Sequence, residues 1–169
     1  TPTFTYENGR AVVYAGKDVG LDARGEADVA YDDAGRPIAY AWTLNDSTLE
    51  NERPTIGTAS IAEGGSASDG EISWARWHDG TTGGRYFSAP TFDLGIDAGF
   101  HLTSVVRATD LPTSGTVDYV LAGATAPTVG NGSVAPGTFD GSLSVNFGAE
   151  TTADFDFTVG IDSGSYSFG

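Results

Sequence analysis

The chain has 169 residues, carries 23 Asp and Glu against 8 Lys and Arg, and contains no Cys and no Met. A formal charge of −15 repels phosphate backbones and anionic lipid surfaces, which excludes nucleic-acid binding and disfavours docking on a membrane. Without Cys there is no disulfide, thiolate metal site or Cys nucleophile, and no apolar run reaches the roughly 18 residues of a membrane-crossing helix.

Gly (24 residues) and Pro (7) punctuate the chain so often that long helices have no room. At the start, "TPTFTYENG" alternates Phe4 and Tyr6 with threonines and reads as a terminal strand, a candidate donor strand for a neighbour's sheet. "RAVVY" follows with a weaker pattern. In "EADVAY", Ala27, Val29 and Tyr31 take one face and Glu26 and Asp28 the other. "YDDAGRP" reads as a hairpin turn into "IAYAWTL", where Tyr40, Trp42 and Leu44 share a face opposite Ala39, Ala41 and Thr43. "NDSTLENER" has cap-like residues before a short polar stretch and accommodates at most a turn or two of helix ahead of Pro54. Gly57–Gly70 is the most flexible-looking segment and reads as a long loop or an internal boundary.

"GEISWARWHDG" sets Trp74 and Trp77 three residues apart. A helix would place them on one face; a strand places them on opposite faces. Among so many strand-like runs the strand reading holds, with Ile72, Trp74 and Arg76 on one side and Ser73, Ala75 and Trp77 on the other. One indole is expected to anchor the core, and the other, Trp77 at the strand end, to lie beside the turn "HDGTTGG". Trp74, Arg76 and Trp77 are therefore the candidate binding residues, an aromatic shelf with Arg76 stacked by a cation–π contact. "RYFS" and "FHLTSVV" are weaker strands. The last third alternates cleanly: Val117, Tyr119 and Leu121 in "TVDYVL"; Leu143, Val145 and Phe147 in "SLSVNFG"; Phe155, Phe157 and Val159 in "DFDFTV"; Tyr166 and Phe168 in "SYSFG". "FGAETTADF" reads as a second hairpin turn.

These signals predict one all-β domain over residues 1–169, an antiparallel β-barrel or β-sandwich of about 8–10 short strands with one face buried and one wet. The absence of Met reads as a mature, processed or excised piece. Apparent runs of five to seven residues with Asp and Ser on the polar side argue against a transmembrane barrel, whose strands need about 9–11 residues and an apolar lipid face.

From Asp69 to Gly169 the order of "ISWARWHDG", "VDYVLAGATAPT", "GTFDGSLSVNFG" and "FDFTVGIDSGSYSFG" resembles the β-rich C-terminal region of some bacterial FecR-domain envelope proteins. It is more distantly similar to the eight-stranded barrel halves of transferrin-binding-protein-type surface lipoproteins. The first 68 residues match less, although "AYDDAGRPIAY" looks like the hairpin ahead of the Trp strand in such proteins. The resemblance implies a cell-surface β-barrel module without catalytic residues, completed by strands beyond Gly169 or from elsewhere.

Two histidines, His78 and His101, are all that a triad or zinc site has to draw on, and both read as surface residues. No Gly-x-Ser-x-Gly, phosphate loop or EF-hand loop is present. "DDAG", "HDGTTGG" and "IDSGS" would suit Ca2+ only weakly, since Asp is a turn former. No catalytic residue and no metal ligand is assigned, and no cofactor is expected. The function expected is a non-catalytic extracellular or cell-surface module of the bacterial envelope that binds a protein partner or itself, assembling into filaments by strand exchange. The alternative is a carbohydrate-binding or carbohydrate-active sandwich, with a glycan on Trp77. A small-ligand barrel comes third.

Overall fold

The computed structural model describes residues 6–16, 20–44, 47–48, 54–84, 91–106, 108–162 and 164–169, with the backbone alone for 6–9, 20–26, 42–44 and 47–48. These residues form eleven strands and no helix: β1 (Tyr6–Gly16), β2 (Gly20–Tyr31), β3 (Pro37–Leu44), β4 (Ser47–Thr48), β5 (Ser60–Ser66), β6 (Ile72–His78), β7 (Phe100–Val105), β8 (Gly115–Val120), β9 (Thr138–Phe147), β10 (Thr152–Ile161) and β11 (Gly164–Phe168). They make a seven-stranded sheet, ordered β4-β3-β2-β1-β7-β6-β5, and a four-stranded sheet, ordered β11-β10-β9-β8. All pairings within the two sheets are antiparallel. The fold is all-β, and the large sheet is curled into a half-barrel.

Turn chemistry sets the β2–β3 hairpin. The Asp32 carboxylate accepts the backbone N–H groups of Ala34 (3.0 Å) and Arg36 (2.9 Å) and pairs with the Arg36 guanidinium at 2.6 Å. Burial opposes ionisation of Asp32, but these partners outweigh it and hold the carboxyl below its ordinary range. Asp32 is thus a turn residue with its oxygens engaged.

The interior of the half-barrel is an aromatic stack. Tyr40 of β3 stacks on Tyr14 of β1 (5.5 Å between centroids), Tyr14 on Phe100 of β7 (5.8 Å), and Phe100 on Trp77 of β6 (5.1 Å). Val12, Val29 and Leu102 fill the spaces between, and Leu94 packs onto the stack from the loop after residue 91. The Trp77 indole N–H donates to the Pro37 carbonyl at 2.9 Å, joining β6 to β3 across the curl. At one end, Arg10 donates to the carbonyls of Gly70 (2.8 Å) and Glu71 (3.2 Å) and lies over the Tyr31 ring.

Several expectations change here. The segment 57–70 is not one long loop: it holds β5, an edge strand paired with β6. Its Gly64-Gly65 pair hides the strand pattern, yet a β-carbon at Gly65 would stand 3.1 Å from the Trp74 ring, so the strand is glycine-rich because an indole lies on it. In the stretch expected to be polar or helical, Ser47–Thr48 are strand β4, and the rest lies outside the described residues. Strands β1, β2, β9 and β10 run 10–12 residues, longer than the runs of five to seven legible in the sequence; in β1 the alternation breaks where the strand is bulged between Glu7 and Val12. No described helix is long and apolar enough to cross a membrane.

Trp77→Ala should be among the costliest single substitutions, about 3–5 kcal/mol, because it opens a cavity in the stack and strips the Pro37 carbonyl of its donor. Denaturant unfolding checks this; a loss under about 1 kcal/mol would mean that Trp77 does not hold the curl.

Candidate functional site

Strand β6 presents its odd-numbered side chains to the core and its even-numbered ones to the outer face of the large sheet. Register then decides their neighbours: Trp74 opposes Thr103 and Arg76 opposes His101 on β7, while Gly65 and Glu63 oppose them on β5. The outer face of β5–β6–β7 therefore carries an indole, a guanidinium, an imidazole and a carboxylate side by side.

The connection between β8 and β9 covers this row. Residues 121–137 leave the small sheet, cross the outer face of the large one and return. Thr125 and Thr128 place their hydroxyls 2.9 Å from Nδ1 and Nε2 of His101, and the Ala126 N–H donates to Glu63 at 3.3 Å. Gly123 lies so close to Trp74 that a β-carbon there would collide with the indole, and the same edge of the ring also rests on Gly65. We call this segment the strap.

Beneath it, Arg76 is 3% exposed and fully engaged. Its Nε and Nη2 donate to Glu63 at 2.7 and 2.6 Å, and its Nη1 to the Ala98 carbonyl at 3.0 Å. A buried charge needs this two-point fork to offset its desolvation. The hydrogen bonds from Arg76 hold the Glu63 carboxyl below its ordinary range, against a smaller opposing effect of burial. Burial, with a further push from Arg76, holds the His101 imidazole down to about 4, so it is neutral at physiological pH.

Next to the strap lies an open apolar cavity of about 540 Å³ between the two sheets. Its floor is the outer face of the large sheet at Ile72, Trp74 and Thr103; its far wall is the small sheet at Phe139, Leu143 and Phe157. The apolar face of the small sheet continues past this cavity into solvent. Tyr119 is 43% exposed, Phe155 47%, and Tyr166 and Phe168 56% each. Cross-strand pairs such as Leu143 with Phe155 and Tyr119, and Phe157 with Phe168, confirm that these residues share one face.

Of the candidate binding residues, only Trp74 retains accessible surface of consequence. Trp77 is 0% exposed, and the expected assignment of the two indoles is reversed: the strand-end residue is the core anchor, because its odd position points into the curl, and Trp74 faces outward. Arg76 is spent on Glu63; the cation–π contact among the described residues is made by Arg10 on Tyr31. Tyr6 pairs through its backbone with Ala30 of its own sheet, and Phe4 lies outside the described residues, as do residues 85–90 with the "RYFS" run. His101 is not a surface histidine, since the strap covers it; His78 sits 3.3 Å from the Ile96 carbonyl through Nδ1. Among the described residues no three His, Asp or Glu side chains gather as a metal site. The His101–Arg76–Glu63 row escapes sequence reading because alternation assigns faces and not neighbours. The available signal is Arg76 itself, a charge flanked by Trp74, Ala75 and Trp77 and hence in need of a partner. Comparison with family models, with curated proteins and with solved structures finds no match.

Two predictions follow from the strap. The unfolded chain protonates His101 near the ordinary 6.5, the folded one only near 4. The stabilisation from the neutral ring is complete above pH 6.5 and is lost as the pH falls towards 4, a term on the order of 3 kcal/mol. Glu63, held low, also loses its stabilisation on acidification. His101→Gln should therefore flatten the fall in melting temperature between pH 7 and pH 4, as measured by calorimetry; an unchanged slope would assign the acid sensitivity elsewhere. Gly123→Ala should destabilise by about 1–3 kcal/mol through the clash with Trp74, and combining it with Trp74→Leu should recover part of the loss in a double-mutant cycle.

Proposed function

We propose that the chain is a non-catalytic interaction module of a secreted or cell-surface bacterial protein, and that it associates with further copies of itself through the four-stranded sheet. The observation that carries this reading is the uncovered apolar face of that sheet, where Tyr119, Phe155, Tyr166 and Phe168 stand together in solvent. Contiguous apolar surface of this kind marks interaction sites on soluble proteins. Strands β8 and β11 are the sheet's edges, each paired on one side only. An edge strand accepts another by main-chain hydrogen bonding, and β11 of one copy against β8 of the next would extend the sheet head to tail into an open assembly. The envelope setting is supported by the resemblance of residues 69–169 to envelope proteins and by an acidic, Cys-free composition. The glycan reading loses its support, since the Trp77 shelf on which it depended is in the core.

Like charge on every copy opposes association, so salt should favour it. Sedimentation equilibrium at neutral pH should show concentration-dependent oligomers that tighten between about 0.1 M and about 1 M salt, as the Debye length shrinks from about 10 to about 3 Å. The variant Phe155→Ser/Tyr166→Ser/Phe168→Ser should weaken association at both salts. A 17.4 kDa monomer throughout would overturn self-association.

A further inference from the structure

We propose that the cavity between the two sheets is a binding site for an uncharged, flat aromatic small molecule. This goes beyond the association surface, which adjoins the cavity on the same face of the small sheet and shares Tyr119 with it.

Three features of the cavity select that ligand. Its volume, about 540 Å³, falls within the roughly 300–1,000 Å³ of small-molecule sites. A dry apolar cavity of about 150 Å³ takes one benzene ring, so this one has room for two or three fused rings. Next, charge is absent from it. The chain has 23 acidic and 8 basic residues, yet no described residue lining the cavity is charged. Arg76, His101 and Glu63 lie on the same outer face but are sealed under the strap by their own partners. An ionic ligand would be desolvated here with no counter-charge, and an anion would also face a net charge of −15. Water gains little, because the side-chain polar groups are the hydroxyls of Thr103, Thr125, Ser142 and Tyr119 and the Trp74 indole N–H, and Thr125 is already engaged with His101.

Finally, the walls are aromatic and pre-set. The benzo edge of the Trp74 indole is held by Gly65 and Gly123, so the part of the ring left accessible needs no reordering on binding. Phe139 and Phe157 stand opposite, with centroids 5.6 Å apart and a tilt of 42°. A flat ring entering between Trp74 and these two rings gains offset or edge-on contacts with both sheets. A pre-organised wall spares the ligand the cost of ordering it.

The test uses N-phenyl-1-naphthylamine, an uncharged fluorescent probe, on the full chain. The expected result is saturable binding of one probe per chain, with energy transfer from tryptophan that Trp74→Leu reduces. Thr103→Phe fills the cavity from a strand position where Phe is well accommodated, and should weaken binding at least tenfold. Ala122→Phe fills it from the strap and should do the same, should the first variant fail to fold. The sulfonated relative 8-anilinonaphthalene-1-sulfonate should bind at least tenfold more weakly than the uncharged probe. Absence of saturable binding would overturn the proposal. So would binding indifferent to both filling variants, equal affinity for the sulfonate, or binding lost only in Tyr166→Ser/Phe168→Ser. That last result would place the probe on the association face, and the sedimentation result would stand apart from it.

Discussion

The large sheet holds its shape because one indole reaches across it. Trp77 and Pro37 lie forty residues apart in sequence and on strands that are not neighbours in the sheet, yet the indole N–H and the carbonyl meet at 2.9 Å in a dry interior. A flat seven-stranded sheet would leave both faces wet. Curling brings Tyr40, Tyr14, Phe100 and Trp77 into one stack, and the hydrogen bond to Pro37 satisfies the indole N–H that the stack would otherwise bury. The outer surface then follows from the inner one. With Trp77 pointing in, Trp74 and Arg76 must point out, and the strap and cavity are built on what they present.

That outer surface has two kinds of chemistry next to each other. At one end lies an ion pair with a neutral imidazole, closed off by hydroxyls and one backbone N–H. At the other lies an indole on glycine with no charge near its accessible face. Strand register positions Glu63, Arg76 and His101 in one row and Gly65, Trp74 and Thr103 in the next, and the strap closes over both. A site built on paired strands keeps its spacing better than one hung on a turn.

Much of this was legible in the chain. The alternation in β8 to β11 grouped Val117 with Tyr119, Leu143 with Val145 and Phe147, Phe155 with Phe157 and Val159, and Tyr166 with Phe168 on the face they share, and the hairpin turn at Asp32 declared itself through Asp, Gly and Pro. The opposition of Trp74 and Trp77 followed from odd spacing alone. What stayed hidden was relational. Gly64 and Gly65 look like loop until an indole is placed on them. Bulges in β1 broke its period and shortened the strand that could be read. His101 looked exposed because alternation says that a residue faces away from the core without saying that a strap from residues 125–128 lies over it. Nor does a polar-apolar pattern reveal that the small sheet's apolar face is left half open; the same pattern serves a sheet that is fully covered.

The strap also bears on the order of assembly. Neighbouring strands β9, β10 and β11 are joined by tight turns and can zip together locally, but β8 reaches its partner β9 only through residues 121–137, which first cross the other sheet. Closing that loop costs entropy that β8–β9 pairing alone must meet, unless the strap is already seated on Trp74 and His101. Seating requires β5, β6 and β7 to be in register. A finished large sheet on which the strap is seated therefore lowers the entropic cost of pairing β8 with β9.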